Sequence, residues 1–195
     1  MDFPSIEMWR SIVLAPGEDK FGRRDFYEYY REKFRICKLF GPASIAEIGV
    51  RWGYSAFAFL CAEPSASYTG WDLIGGGHGG VAADTFGRVA ELLKSNFPDA
   101  GIELIHADTR QLESLGGPYD FIHVDGNHSS VAAIGDMELA FKSLSPGGVM
   151  LVDDYEYIAG VKIAADRFIL NNREKIEQFY TVESLRGEMV IRRKK

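Results

Sequence analysis

His123-Val124-Asp125-Gly126-Asn127-His128, followed after a helix-length gap by Val149-Met150-Leu151-Val152-Asp153-Asp154-Tyr155, is the stretch on which the fold turns. Each half is an apolar run ending in carboxylates, and a gap of about one crossover helix between such runs is how adjacent parallel strands read in sequence. Neighbouring strands lie about 4.8 Å apart, so Asp125, Asp153 and Asp154 are expected to converge at one sheet edge. Three clustered carboxylates repel one another unless positive charge sits between them. A hard divalent cation such as Mg²⁺, which prefers oxygen ligands, is the simplest occupant.

Working outward, β-prone runs fall at 44–50, 67–72, 102–107, 119–125 and 148–153, each followed by helical periodicity, such as Val89-Ala90-Glu91-Leu92-Leu93. This alternation predicts a parallel sheet with helices on both faces, a three-layer α/β/α sandwich. An amphipathic lead-in helix is expected at about 25–40, ended by Gly41-Pro42. After a helix near 158–172, two further runs at 178–184 and 187–192 are split only by about Leu185-Arg186. So tight a link makes them antiparallel, giving a mostly parallel seven-stranded sheet.

Length and charge bound the function. A chain of 195 residues with 46% hydrophobic and 13% aromatic content suits one well-filled domain spanning 1–195. Its net charge of −6 argues against nucleic acid as a partner. Cys37 and Cys61 have no metal-type spacing and suggest no disulfide framework. With neither a signal-type segment nor an apolar run of membrane-spanning length, a soluble cytoplasmic protein is expected.

The first strand and turn read Ile45-Ala46-Glu47-Ile48-Gly49-Val50-Arg51-Trp52-Gly53-Tyr54-Ser55. Glycines 49 and 53 let the chain turn sharply and let a ligand approach closely. The dinucleotide fingerprint is broken by Arg51 at its middle glycine, so a nucleoside lacking a pyrophosphate suits the turn better. Asp72, ending the second strand, can accept from both hydroxyls of a ribose. Asp108, after the third, stands where it can meet an adenine amine, and Glu47 where it can meet a ligand's ammonium group.

From about Ala43 to the C-terminus the order of motifs resembles class I S-adenosylmethionine-dependent methyltransferases, whose fold is Rossmann-like with a reversed C-terminal strand. Glu47-Ile48-Gly49-Val50 with Gly53 and Ser55, His123-Val124-Asp125-Gly126, and Pro146-Gly147-Gly148 running into Asp153-Asp154-Tyr155 narrow the likeness. They resemble the bacterial branch that includes macrocin-type sugar O-methyltransferases and proteins labelled cephalosporin hydroxylase. The resemblance implies that Glu47, Gly49, Gly53, Ser55, Asp72 and Asp108 hold S-adenosylmethionine. It also implies Mg²⁺ at Asp125, Asp153 and Asp154, and methyl transfer to a hydroxyl of a small molecule.

One departure bears on the acceptor. Related enzymes carry a second carboxylate after the Asp-Gly as general base, whereas this chain has Asn127, whose amide cannot take a proton at neutral pH. His128 is the candidate replacement. Ionising an aliphatic hydroxyl with a pKa of about 15.7 at pH 7 costs roughly 12 kcal/mol, against about 4 kcal/mol for a phenol. A weak base therefore makes a phenol or catechol-like acceptor at least as plausible as a sugar.

Other readings stand beside these. A non-catalytic nucleoside-binding module would explain Asn127, and a hydroxylase-type oxidoreductase would explain the label on relatives, although no two-histidine, one-carboxylate iron site is evident. His123 and His106, both within strands, read as satisfied core histidines. Gly75-Gly76-Gly77-His78-Gly79-Gly80 reads as a flexible loop, with His78 a reserve base if that loop is a lid. Phe26, Tyr27, Tyr29, Tyr30 and Phe34 pack their helix onto the core or onto a second subunit, which leaves a homodimer open.

Overall fold

Strands β1 (Ser44–Ile48), β2 (Ser67–Asp72), β3 (Ile102–His106), β4 (Tyr119–Val124), β5 (Leu144–Val152), β6 (Ile176–Val182) and β7 (Glu188–Arg193) form one sheet. Their spatial order is β3-β2-β1-β4-β5-β7-β6. The first five are parallel, and β7 runs antiparallel to both β5 and β6. The structure, a computed structural model, describes residues 2–12, 19–75 and 81–195. Most of the Gly75–Gly80 segment, with His78, lies outside the described residues.

Alternation along the central strands builds the layers, because successive side chains point to opposite faces. Ile45, Phe121, Val149, Leu151 and Val190 enter one core, while Ala46, Ile48, Ile122, Val124, Met150 and Val152 enter the other. Helices α1 (Ile6–Ser11), α2 (Arg24–Phe40), α3 (Tyr54–Ala62) and α4 (Ala83–Asn96) supply the first core; α5 (Ser130–Ser143) and α6 (Ala159–Asn171) supply the second. Strands covered on both faces read as unbroken apolar runs, as Val149-Met150-Leu151-Val152 of β5 do. The α2 aromatics pack inward against Trp9, Phe21 and Tyr54 of the same chain. Among the described residues no helix is long and apolar enough to cross a membrane.

Three expectations are corrected. No α-helix follows β3; residues Thr109–Gln111 form one 3₁₀ turn, and Leu112 and Leu115 of the connection pack onto the second core instead. His106 is exposed rather than buried, because β3 is an edge strand. Strand β6 ends at Val182, so the link to β7 runs from 183 to 187 and is longer than the two residues expected. That longer link carries Arg186 to the pocket wall.

Candidate functional site

Strand order reverses between β1 and β4, which lead to opposite halves of the sheet. In open α/β sheets such a crevice at the carboxyl ends of the strands is where ligands bind. A cavity of about 290 Å³ opens there, lined by Gly49, Ser55, Asp72, Asp108, Asp125, Asn127, His128 and Arg186. Phe21, Phe26, Tyr29, Tyr30, Trp52 and Tyr54 give its other side an aromatic wall.

At the β1 end, Gly49 has φ +93° and Gly53 φ +76° at the start of α3. A Cβ on Gly49 would overlap the Asp125 carbonyl oxygen and stand 2.6 Å from its carbon, so only glycine lets β1 and β4 approach this closely. Asp72 accepts hydrogen bonds from the backbone N–H of Arg51 and, at 2.6 Å, of Leu73; burial raises its pKa above the ordinary carboxylate value. Asp108 accepts from Arg110 N at 3.1 Å and is gripped by the Arg110 guanidinium at 2.7–3.2 Å.

Glu47 is placed differently from the expectation of a direct ligand contact. It is fully buried behind the pocket wall and accepts from the hydroxyls of Ser55 and Tyr68 and from His123 Nδ1 at 2.8 Å. Of these partners Ser55 reaches the cavity. Asn127 lines the cavity, but its amide oxygen accepts the Ser129 N–H at 2.9 Å and shapes the turn into α5. Asp136, on α5, went unrecognised in the sequence. It is buried on the wall and accepts from Thr109 Oγ1 at 2.6 Å; burial raises its pKa.

Asp125, Asp153 and Asp154 do converge, and they arrive with protein cations. Lys33 of α2 places Nζ 3.1 Å from Asp153 Oδ2, 3.0 Å from Glu188 Oε1 and 3.4 Å from His123 Nε2. Three acceptors for three protons account for the whole ammonium, and they make His123 the tautomer that donates from Nδ1 to Glu47. His123 is therefore a satisfied core histidine. Tyr29 donates its hydroxyl to Asp153 as well. Burial opposes ionisation of Asp153, but the Lys33 ammonium together with His123 and the Tyr29 hydroxyl outweighs it and holds the carboxyl well below its usual range. The same pairing keeps Lys33 charged despite its burial.

Asp154, in a left-handed conformation with φ +58°, is engaged on both oxygens by Arg186 Nη1, at 3.0 and 3.2 Å. His128 Nε2 lies 3.3 Å from Asp125 Oδ1 and 3.3 Å from Asp154 Oδ2. Burial and the charge of Asp153 push Asp125 up to about 7. The hydrogen bond that His128 Nε2–H donates to the Asp125 carboxylate raises His128 above its ordinary 6.5.

Lys33 was not foreseen, although a signal existed. The buried stripe of α2 is Tyr29, Tyr30, Lys33, Ile36 and Cys37, so a lysine occupies a core position of an amphipathic helix. Buried lysines are rare unless paired, and the carboxylates ending β4 and β5 were already in view. Arg186 had no comparable signal, since linker arginines are ordinarily solvated.

Two groups of donor atoms, His123–Asp125–Asp153 and Asp125–His128–Asp154, each lie within 4.8 Å of one another. That spacing admits a cation, but the occupancy does not suit Mg²⁺. Mg²⁺ demands near-ideal octahedral oxygen coordination; each group contains a histidine nitrogen, and two of the three aspartates are already engaged by Lys33 and Arg186.

Comparison with known proteins places this geometry in context. A family described as "Methyltransferase domain" matches residues 46–155, more than half of the chain. No curated protein matches. Among solved structures, the SAH-bound methyltransferase PaMTH1 of Podospora anserina is similar at 20% identity, covering 100% of this chain and 90% of that one, with TM-score 0.67. An O-methyltransferase from Bacillus cereus in complex with SAH shares 16% identity, covering 97% and 100%, with TM-score 0.65. TomG, an O-methyltransferase of Streptomyces achromogenes involved in tomaymycin synthesis and solved with SAM, shares 17%, covering 99% and 100%, with TM-score 0.64. At these identities the likeness is one of fold.

Proposed function

The chain belongs to the methyltransferase domain family, and on that premise we propose that it transfers the methyl group of S-adenosylmethionine to the oxygen of a small aromatic acceptor, a phenol. The observation that carries this reading is that one cavity holds both a nucleoside-type cradle and a proton-accepting pair. At one end the Gly49 turn, held close against the Asp125 backbone, lines the cavity and Asp72 offers a carboxylate for ribose hydroxyls. At the other end stand His128 and Asp125, facing the aromatic wall. Tyr29, Tyr30 and Tyr54 fit a flat ring better than a hydrated sugar, since aromatic faces pack aromatic partners.

When bound, S-adenosylmethionine supplies an electrophilic methyl: the acceptor oxygen forms the C–O bond as the C–S bond breaks and its electron pair stays on sulfur. The chain's own residues bind, align and take up the proton. Asp72 and the Gly49 turn fix the nucleoside, and Ser55, anchored to buried Glu47, holds the wall beside it. The aromatic wall excludes water, so that approach of the two reactants in line does most of the work. His128 Nε2 takes the acceptor's proton. The magnesium expected from the sequence has no part in this scheme.

The test is a calorimetric titration of the full chain with S-adenosylhomocysteine. Micromolar binding, about −8 kcal/mol, is expected, and no detectable heat would sink the reading. Replacing Asp72 with asparagine removes a charged acceptor, worth about 1.5–3 kcal/mol; affinity should fall roughly 10- to 150-fold.

A second expectation concerns His128. His128→Gln should leave S-adenosylhomocysteine binding intact while lowering kcat on a phenolic acceptor by about 100-fold, the lower range for general-base loss because a phenol ionises easily. Since the raised His128 pKa keeps the imidazole protonated to higher pH, wild-type activity should rise with pH along a limb lying above 6.5. An unchanged pH limb in His128→Gln would remove His128 from the scheme.

A further inference from the structure

We propose that the chain itself supplies the cations at the acceptor end of the pocket, with Lys33 and Arg186 fixed on Asp153 and Asp154, so that methyl transfer here needs no divalent metal. The consequence for catalysis rests on the methyl-transfer reading; the charge arrangement stands on geometry alone.

Oxygen by oxygen, little coordination is left for a metal. Asp153 Oδ2 accepts from Tyr29 and Lys33, and its Oδ1 accepts the Asp154 N–H at 2.8 Å. Both oxygens of Asp154 face Arg186, and one of them also meets His128. Asp125 Oδ2 alone of these six oxygens has no hydrogen bond or ion pair among the described residues, which leaves one uncommitted oxygen for an ion usually anchored by one or two carboxylates and its own waters.

The two fixed cations are built in differently. Lys33 cannot swing away, being fully buried with all three protons engaged and its ammonium 4.3 Å from the centre of the Tyr29 ring. A divalent ion beside Asp153 would face this ammonium across a low-dielectric core. Arg186 comes from the 183–187 link and is braced by ring faces, 5.9 Å from Phe26 and 5.2 Å from Tyr157. Its side chain is about one-third exposed and lines the cavity, so it is the cation an acceptor oxygen meets first. Arginine suits the position because its fork can hold a carboxylate and still present N–H donors.

The experiment titrates Mn²⁺, a magnesium surrogate with an EPR signal when free, into the full chain with and without S-adenosylhomocysteine. Free-ion amplitude matching buffer up to roughly 1 mM is expected, with the S-adenosylhomocysteine affinity equal in chelator and in excess Mg²⁺. Uptake of one Mn²⁺ per chain at micromolar concentration, abolished in Asp125→Asn, would overturn the proposal. Arg186→Ala, checked as folded by its thermal midpoint, should bind Mn²⁺ at least about tenfold more tightly than wild type, because Asp154 is then released. If folded Arg186→Ala gains no affinity, the guanidinium is not what holds the place and the proposal falls. Calorimetry on the same sample keeps the two questions apart: absent S-adenosylhomocysteine binding counts against the cofactor reading, and Mn²⁺ uptake against this one.

Discussion

Lys33→Met should lower the stability of the fold by about 3–5 kcal/mol, the cost of leaving buried charge uncompensated when one partner of a buried ion pair is removed. Against a total of about 5–15 kcal/mol for a domain this is a large share, and for a chain of this size it should lower Tm by roughly 6–20 °C. The reason is the number of acceptors stranded at once: Asp153, Glu188 and His123 Nε2 all lose the same ammonium. Glu188 Oε2 already has no hydrogen-bond partner among the described residues, so the pair has no reserve.

The pH dependence of that loss has a definite sign. In wild type the depressed pKa of Asp153 contributes stability above its unfolded value, near 3.8, and that contribution is lost as pH falls through the lower folded value. In Lys33→Met, Asp153 becomes a buried carboxyl without its ammonium, so its folded pKa rises. Its contribution is then present at acid pH and lost as pH rises. The two stability curves should therefore converge toward pH 5 and separate toward pH 8, as urea midpoints at both would show. Adding Glu188→Gln to the variant should recover part of the loss. A deficit under about 1 kcal/mol, or one independent of pH, would mean that water and not Lys33 balances these groups.

How far the sequence carried this site follows from what each residue type announces. Strand ends announced themselves, because apolar runs closing on Gly49, Asp72, Asp125 and Asp153 imply a turn at the carboxyl edge of a parallel sheet, and all four stand there. The parallel pairing of β4 with β5 was legible for the same reason, and the antiparallel close from the short link between the last two runs. The partners of the carboxylates were much less so. Periodicity tells which face of α2 is buried but not what meets it across 120 residues of chain, and the Lys33–Asp153 contact is of that kind. Arg186 was hidden by a two-residue error in the end of β6, enough to turn a pocket residue into an apparent hairpin tip. The expectation of a metal arose from the same gap: three carboxylates demanded positive charge, and the sequence did not reveal that the chain carried it. Glu47 followed suit, since a charged residue in an apolar strand had a purpose, but the purpose was to tie Ser55, Tyr68 and His123 together behind the wall.

Gly49→Ala is the substitution expected to damage the pocket most directly. Two costs add. At φ +93° an L side chain is strained by about 1–3 kcal/mol, and the new methyl would overlap the Asp125 carbonyl and lie 3.1 Å from Gly126 N, an overpacking cost of about 1–3 kcal/mol. The total is about 2–6 kcal/mol, and relief is available only through backbone, because the obstructing atoms belong to the end of β4. Moving that strand end carries Asp125, and with it the His128 contact, away from the cofactor cradle, so S-adenosylhomocysteine affinity and turnover should fall together with stability. Gly53→Ala is the informative contrast. Its Cβ would meet Val89 Cγ1 at 2.6 Å, so a buried side chain of α4 must shift in addition to the backbone strain of φ +76°, but no atom of β4 stands in its way. Urea unfolding and calorimetry on both variants should therefore show Gly49→Ala losing binding beyond what its stability loss accounts for, and Gly53→Ala losing mainly stability. Equal binding losses at the two glycines would mean that the turn as a whole, and not the close approach of β1 to β4 at Gly49, shapes the cradle.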